Sequence, residues 1–181
     1  MQNLLTGLDS IPESGKPKLF LFYLGGRIQG GNIEVHDVQF VVGINPESCY
    51  SALKANWIGD KRHIHIDGYK ELSYADGYDI SLHEEKQNSD LKLFFINAGA
   101  YKKGELAELH QFDFFVDKDE KSAKARAMTK LLTGFHLQHK DDLADIDDCL
   151  LLTKIGRYYI HLTPSNTHQP NELLFQGYLP I

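Results

Sequence analysis

KLFLFYLGGRIQGGNIEVHDVQFVVG, residues 18–43, is answered further along the chain by KLFFINAGAYKKGELAELHQFDFFVD, residues 92–117. At this offset of 74 (92 minus 18), Lys18, Leu19, Phe20, Gly25, Gly30, Glu34, His36, Phe40 and Val42 meet identical residues. Two unrelated segments of ordinary composition would share roughly one or two, so the chain carries an internal repeat. The match resumes with HIDGY (65–69) over DIDDC (145–149) and YDISLH (78–83) over YYIHLT (158–163), now at an offset of 80 (145 minus 65). The extra residues of the second copy fall in the loop TGFHLQHKDD, residues 133–142.

Each copy reads as strand, loop, strand, helix, strand, strand. Lys18 to Leu24 and Lys92 to Ala98 are short aromatic and aliphatic runs closed by Gly25-Gly26 and Gly99, which is turn chemistry. A polar, glycine-containing loop then leads into the Glu-x-His strand. The first helix takes Asn45 as N-cap, Pro46 at its first position and Glu47 in its first turn; Tyr50, Leu53 and Trp57 form one stripe, and Gly59 lies past the end. Asp119, Glu120, Ala127, Leu131 and Gly134 take the matching roles in the second. The remaining strands are expected at His63 to Leu72, Tyr78 to His83, Ile146 to Thr153 and Arg157 to Thr163. ELLFQGYLPI (172–181) is read as an added edge strand.

The expected fold class is therefore α+β: two tandem ββαββ repeats forming a pseudo-twofold assembly of antiparallel sheet with helices packed on it. Residues 1–17 are an extension outside the repeat, expected to be mobile or loosely docked. Residues 18–85 are repeat one and 92–181 repeat two, together one compact unit. Trp57 and Leu131 are expected to be buried at equivalent places, with Phe20, Phe22, Phe40, Val42, Leu53, Phe94, Phe114 and Ile160 in the core.

A chain of 181 residues with 42% apolar residues can build such a core. Its formal net charge of −6, with no basic stripe, argues against a nucleic-acid partner. Apolar runs such as Leu19 to Leu24 and Cys149 to Leu152 are too short to cross a bilayer, so a membrane partner is not expected either. The first residues lack the positive and apolar regions of a secretory signal, and the cytoplasm is the expected compartment. Cys49 and Cys149 occupy non-equivalent places and form no Cys-x-x-Cys, so both thiols are expected to be buried and inert.

KLFLFYLGG, IEVHDVQFVVG and HIDGY together resemble the bacterial domain-of-unknown-function 1543 family, whose domain occurs as one or two copies per chain. The resemblance covers nearly everything after residue 17. It implies a fold and a copy number, and brings no activity, substrate or catalytic residues. Copy two departs from the pattern where DIDDC replaces HIDGY and Ala100 stands for Gly26, which puts in doubt any site of copy two that depends on those features.

Strand alternation sets Glu34 and His36 on one face with Val38, Phe40 and Val42, and Val35, Asp37 and Gln39 on the other. Glu108 and His110 go with Phe112, Phe114 and Val116 in the same way. Both Glu-His pairs thus belong where the apolar face ends, and a partly buried carboxylate and imidazole must find partners. One reading is a structural pair tethering the glycine loop or the other copy. The other is a ligand site at the pseudo-dyad, with Glu34, His36, Glu108 and His110 as candidate ligand-binding residues.

A second constellation is RHIHIDGY (62–69), in which His63, His65 and Asp67 alternate along one strand face as candidate ligands for a divalent transition metal. Its spacing resembles the His-x-His-x-Asp motif of binuclear metallohydrolases, but Gly68 stands where a further His is expected, and copy two has Leu143, Asp145 and Asp147. The plain alternative is a solvated polar face. GGRIQGG (25–31) reads as a hairpin loop rather than a phosphate loop. DDLADIDD (141–148) lacks the glycine and distal Glu of an EF-hand and reads as a solvated loop facing the basic helix of Lys121, Lys124, Arg126 and Lys130.

Two functional classes remain. One is a non-enzymatic ligand-binding or interaction module built by duplication, taking a small polar ligand or a protein partner, with a monomer expected over a homodimer. The other is a metal-dependent hydrolase in which Glu34, His36, His63, His65 and Asp67 converge. The second requires the Glu-x-His strand and the His-x-His-x-Asp strand to be neighbours.

Overall fold

The computed structural model describes residues 5–7, 15–102, 104–131, 133, 144–167 and 171–181. After β1 (Leu5–Gly7), copy one runs β2 (Lys18–Gly26), β3 (Val35–Gly43), α1 (Tyr50–Asn56), β4 (His65–Glu71), β5 (Tyr74–Ala75) and β6 (Tyr78–His83). Copy two runs β7 (Lys92–Ala100), β8 (Leu109–Asp117), α2 (Glu120–Lys130), β9 (Ala144–Leu152), β10 (Lys154–Ile155) and β11 (Tyr158–Pro164), and β12 (Leu173–Pro180) follows. The class is α+β, with antiparallel pairing inside two tandem repeats. The ββαββ pattern is met in part: each repeat has one short helix, and a two-residue strand precedes its last strand.

In copy one β2 is central, flanked by β3 and β4, and in copy two β7 lies between β8 and β9. β12 adds to the outer side of β4, as an edge strand. Leu5–Gly7 pair in parallel with Phe40–Val42, so this part of the extension is docked as a strand rather than loose. A third sheet, in the order β10-β11-β6-β5, joins the copies through β6 and β11.

The helices begin where capping chemistry allows. Asn45 Oδ1 accepts the Ser48 N–H at 2.9 Å, but the first turn is a 3-10 turn over Glu47–Cys49, and α1 proper starts at Tyr50. Asp119 caps α2 by accepting the Ser122 N–H at 2.9 Å. Gly134 and all of the 133–142 loop except Thr133 lie outside the described residues.

Alternation along β2 splits its side chains between two cores. Phe20, Phe22 and Leu24 pack with Leu53 and Trp57 under α1. Leu19 and Leu21 face the other way and join Phe40, Val42, Leu93, Phe95, Phe114 and Val116 in a core shared by both copies. Burial on both faces explains why the run at 18–24 is almost continuously apolar. Phe40 meets Phe95 and Phe114 edge-on, at 5.2 Å and 5.9 Å between ring centroids. Full burial of such a ring contributes about 1.5–3 kcal/mol. All of the expected core residues are buried, Trp57 and Leu131 among them.

The outer core of copy two is a size-exchanged version of the first. Cys49, Leu53 and Trp57 give way to Ala123, Ala127 and Leu131, while Val41 gives way to Phe115. The Gly26 to Ala100 departure belongs to the same exchange. A Cβ at Gly26 would lie 2.9 Å from the Trp57 ring and 2.8 Å from the His63 carbonyl oxygen, whereas Ala100 packs in the core that holds the smaller Leu131.

Polar contacts clasp the copies together. Asp76, in the β5–β6 turn, pairs with Arg126 of α2 at 2.7 Å and accepts the Val116 N–H at 2.8 Å. Within copy two, Lys130 pairs with Asp113 at 2.8 Å and Lys124 with Glu120 at 2.6 Å. Residues 141–143 of the acidic run expected to face this helix lie outside the described residues. Cys49 is fully buried, but Cys149 is only partly so, contrary to expectation, because its place on β9 lies at the margin of the α2 core.

Candidate functional site

Glu34 and Glu108 sit immediately before β3 and β8, and His36 and His110 are the second residues of those strands. Gly25, near the end of β2, pairs with His36 on one side and with His65 on the other. Paired residues share a sheet face, so the two imidazoles flank a glycine on the same side. β3 and β4 are not neighbours, contrary to what the hydrolase reading required. The missing Gly25 side chain is what lets their side chains meet across β2: a Cβ there would overlap His65 Nε2 and lie 2.9 Å from Asp67 Oδ2.

Asp67 is delivered by a β-bulge. Tyr23 pairs with Gly68 and the next residue, Leu24, with Ile66, which leaves Asp67 as the extra residue and re-aims it. Copy two repeats the device, with Asn97 opposite Asp148, Ala98 opposite Ile146, and Asp147 left over. Gly99 stands where Gly25 does, and a Cβ on it would lie 2.5 Å from Glu108 Oε1 and 2.8 Å from Asp147 Oδ2.

The copy-one cluster is closed. His36 Nε2 lies 3.5 Å from Glu34 Oε1 and 3.3 Å from Asp67 Oδ2, and His65 Nε2 lies 3.8 Å from Glu34 Oε2 and 3.2 Å from Asp67 Oδ1. Each carboxylate thus straddles both imidazoles. His65 is only 3% exposed, packs against the Tyr178 ring of β12 at 4.4 Å and a tilt of 38°, and has no hydrogen-bond partner at Nδ1. In copy two, His110 Nδ1 lies 3.1 Å from Asp147 Oδ2 and its Nε2 lies 3.7 Å from Glu108 Oε2, with Asn97 donating to Asp147 at 3.1 Å. Asp145 replaces His65, so copy two keeps a Glu-His-Asp set without the second imidazole.

His63 is not part of the cluster. It is exposed, and its carboxylate neighbour is Asp60, at 3.9 Å. The expected His63, His65, Asp67 set is therefore replaced by Glu34, His36, His65 and Asp67. Among the described residues, no group of three or more His, Cys, Asp or Glu side chains is placed to hold a metal ion.

His36 and His110 line one cleft of about 430 Å³ between the copies. Its walls are aromatic: Tyr23 stacks on His36 at 5.4 Å and on Phe112 of copy two at 6.0 Å. Burial, then the charge of Asp67, raises the Tyr23 hydroxyl pKa. Asp37 and Asp148 face the cleft from opposite copies. Burial is the larger cause and Asp148 a further one that hold the Asp37 carboxyl above its ordinary range, against the Val38 N–H it accepts at 2.8 Å. Alternation predicted Asp37 on the face away from His36. Both residues nevertheless line the cleft.

Tyr23, Asp37, Phe112, Asp147 and Asp148 escaped the sequence reading as site residues. Asp147 had a signal, since the offset of 80 superimposes it on Asp67. The others had none, because their meeting depends on how one copy packs on the other.

The described residues contain no helix long and apolar enough to cross a membrane. No curated protein matches the chain. Among solved structures, the crystal structure of a protein Il1583 from Idiomarina loihiensis is similar, with 32% sequence identity, a TM-score of 0.71, and coverage of 91% of this chain and 97% of that one. The model of the family described as Domain of Unknown Function (DUF1543) matches twice, over residues 31–82 and 105–156, each match spanning a Glu-x-His strand and its helix. The chain belongs to the DUF1543 family, as a member with two copies of the domain.

Proposed function

We propose that the chain is a non-enzymatic, cytoplasmic small-ligand-binding module, active as a monomer, in which a pseudo-twofold arrangement of the repeats builds the binding cleft. The supporting observation is that His36 and His110, each backed by a Glu and an Asp, open onto one cleft between the copies. Its volume of about 430 Å³ is that of a small-molecule site. A thermal-shift screen against a chemically mixed set of small molecules tests this. Compounds that stabilise the wild type are expected to lose their effect in the double variant His36→Ala, His110→Ala. Compounds that stabilise both proteins equally, or none that stabilise the wild type, would count against it.

The metal-dependent hydrolase is supported by one feature, the convergence of two imidazoles and two carboxylates in copy one. Elemental analysis of untagged protein addresses it. Stoichiometric zinc, iron or manganese that is lost in His36→Ala, His65→Ala favours that reading, and metal-free protein removes it.

A further inference from the structure

We propose that the ligand of the inter-copy cleft is an organic cation, an ammonium group carried on a flat or apolar body. This deepens the binding reading above and rests on it. Three features of the cleft carry the inference. Among the described residues, its acidic side chains are Asp37 and Asp148, one from each copy, and no Lys or Arg lines it. Asp37 is half-buried and feels the charge of the exposed Asp148, so two like charges from opposite copies stand together at the cleft with no Lys or Arg beside them.

Asp37 Oδ2 is buried and has no hydrogen-bond partner, although Oδ1 of the same group is satisfied by the Val38 N–H. This open valence marks Asp37 as a carboxylate that the described chain itself does not neutralise. The remaining walls suit the body of such a ligand. Tyr23 and Phe112 form a stacked pair from opposite copies, and Phe40 and Phe95 meet behind them. Aromatic faces attract cations as well as apolar groups. An anion would meet two carboxylates and no donor of opposite charge. A neutral ligand would leave the pair uncompensated.

The probes are phenethylamine, 2-phenylethanol and 3-phenylpropionate, which share a ring and differ in charge, measured by titration calorimetry against wild type, Asp37→Asn and Asp148→Asn. The amine is expected to bind wild type about tenfold to a hundredfold more tightly than the alcohol, the range of a charge-assisted hydrogen bond, and the acid weakest of all. Either Asn variant is expected to bring the amine down to the alcohol. Equal or tighter binding of the alcohol or the acid overturns the charge assignment and leaves the cleft standing. Amine binding unaffected in both variants overturns it too. If none of the three binds, the cleft itself is not the site, and both readings fall.

Discussion

Ser81 of β6 and His161 of β11 are paired directly across the third sheet. These positions are themselves equivalents in the repeat, since 161 minus 81 is the offset of 80, so the ladder is symmetric about this pair. Two residues on, His83 stacks on His161 at 4.0 Å. The same symmetry runs through the shared core, where Leu19, Phe40, Val42 and Leu72 meet their own counterparts Leu93, Phe114, Val116 and Leu152. Neither copy closes its inner face alone.

The two repeats are therefore expected to unfold as one cooperative unit. Trp57, the single tryptophan, reports on copy one, while circular dichroism reports on both copies. Their denaturant transitions should coincide, and Phe40→Ala should lower stability by about 3–5 kcal/mol in both probes together. Separate transitions would mean that the copies are independent domains.

Gly25→Ala and Gly99→Ala are expected to cost about 1–3 kcal/mol each, because the added methyl enters the space of the Glu-His-Asp clusters. Gly77→Ala provides the contrast. Nothing lies within 4 Å of its Cβ position, so only its φ of 91° opposes the change. If the clusters are as drawn, Gly25→Ala also shifts the ring resonances of His36 and His65, which Gly77→Ala leaves in place.

Asp37→Asn is expected to stabilise the protein at neutral pH. The sign follows from linkage: the folded state raises the Asp37 pKa above 3.8, so ionisation works against folding once pH exceeds the unfolded value. The gain should be fully present above the folded pKa and should vanish as pH falls below about 3.8. Denaturant melts of both proteins at pH 7 and pH 3.5 measure it. A variant less stable than wild type at pH 7 would show that Asp37 has a cationic partner within the chain. A residue that lowers stability and faces a cavity fits the usual conflict between stability and binding.

Cys149 should react with a thiol reagent before Cys49, and both slowly, until the protein unfolds. Burial pushes Cys49 up to about 12 and Cys149 up to about 11, so at pH 8 both are almost wholly protonated, and only Cys149 is partly exposed. Release of a chromophoric disulfide reagent, with and without guanidinium, gives the two rates. Fast labelling of Cys49 in native protein would contradict its burial beneath α1.

Much of this architecture is legible in the chain. Identity at the 74-residue offset gives the duplication, the apolar run at 18–24 gives a strand, and Asn45 and Asp119 mark the helix starts. ELLFQGYLPI reads as an edge strand, though nothing in it says that β4 is the strand it covers. The site was half visible. Glu34, His36, Glu108 and His110 stand out because they repeat, whereas the union of His36 with Asp67 needed β2 to lie between β3 and β4, Gly25 to leave room, and a bulge to turn Asp67. Strict period-two counting hides all three. It grouped His63 with His65, although β4 begins only at His65 and His63 lies in the preceding turn, beside Asp60.

The most direct test of the inter-copy site is an amide-shift map of isotope-labelled protein titrated with small-molecule hits. The account predicts saturable shifts centred on Tyr23, His36 and Asp37 of copy one together with Phe95, His110 and Phe112 of copy two. Shifts confined to one copy, or centred elsewhere on the surface, would contradict it.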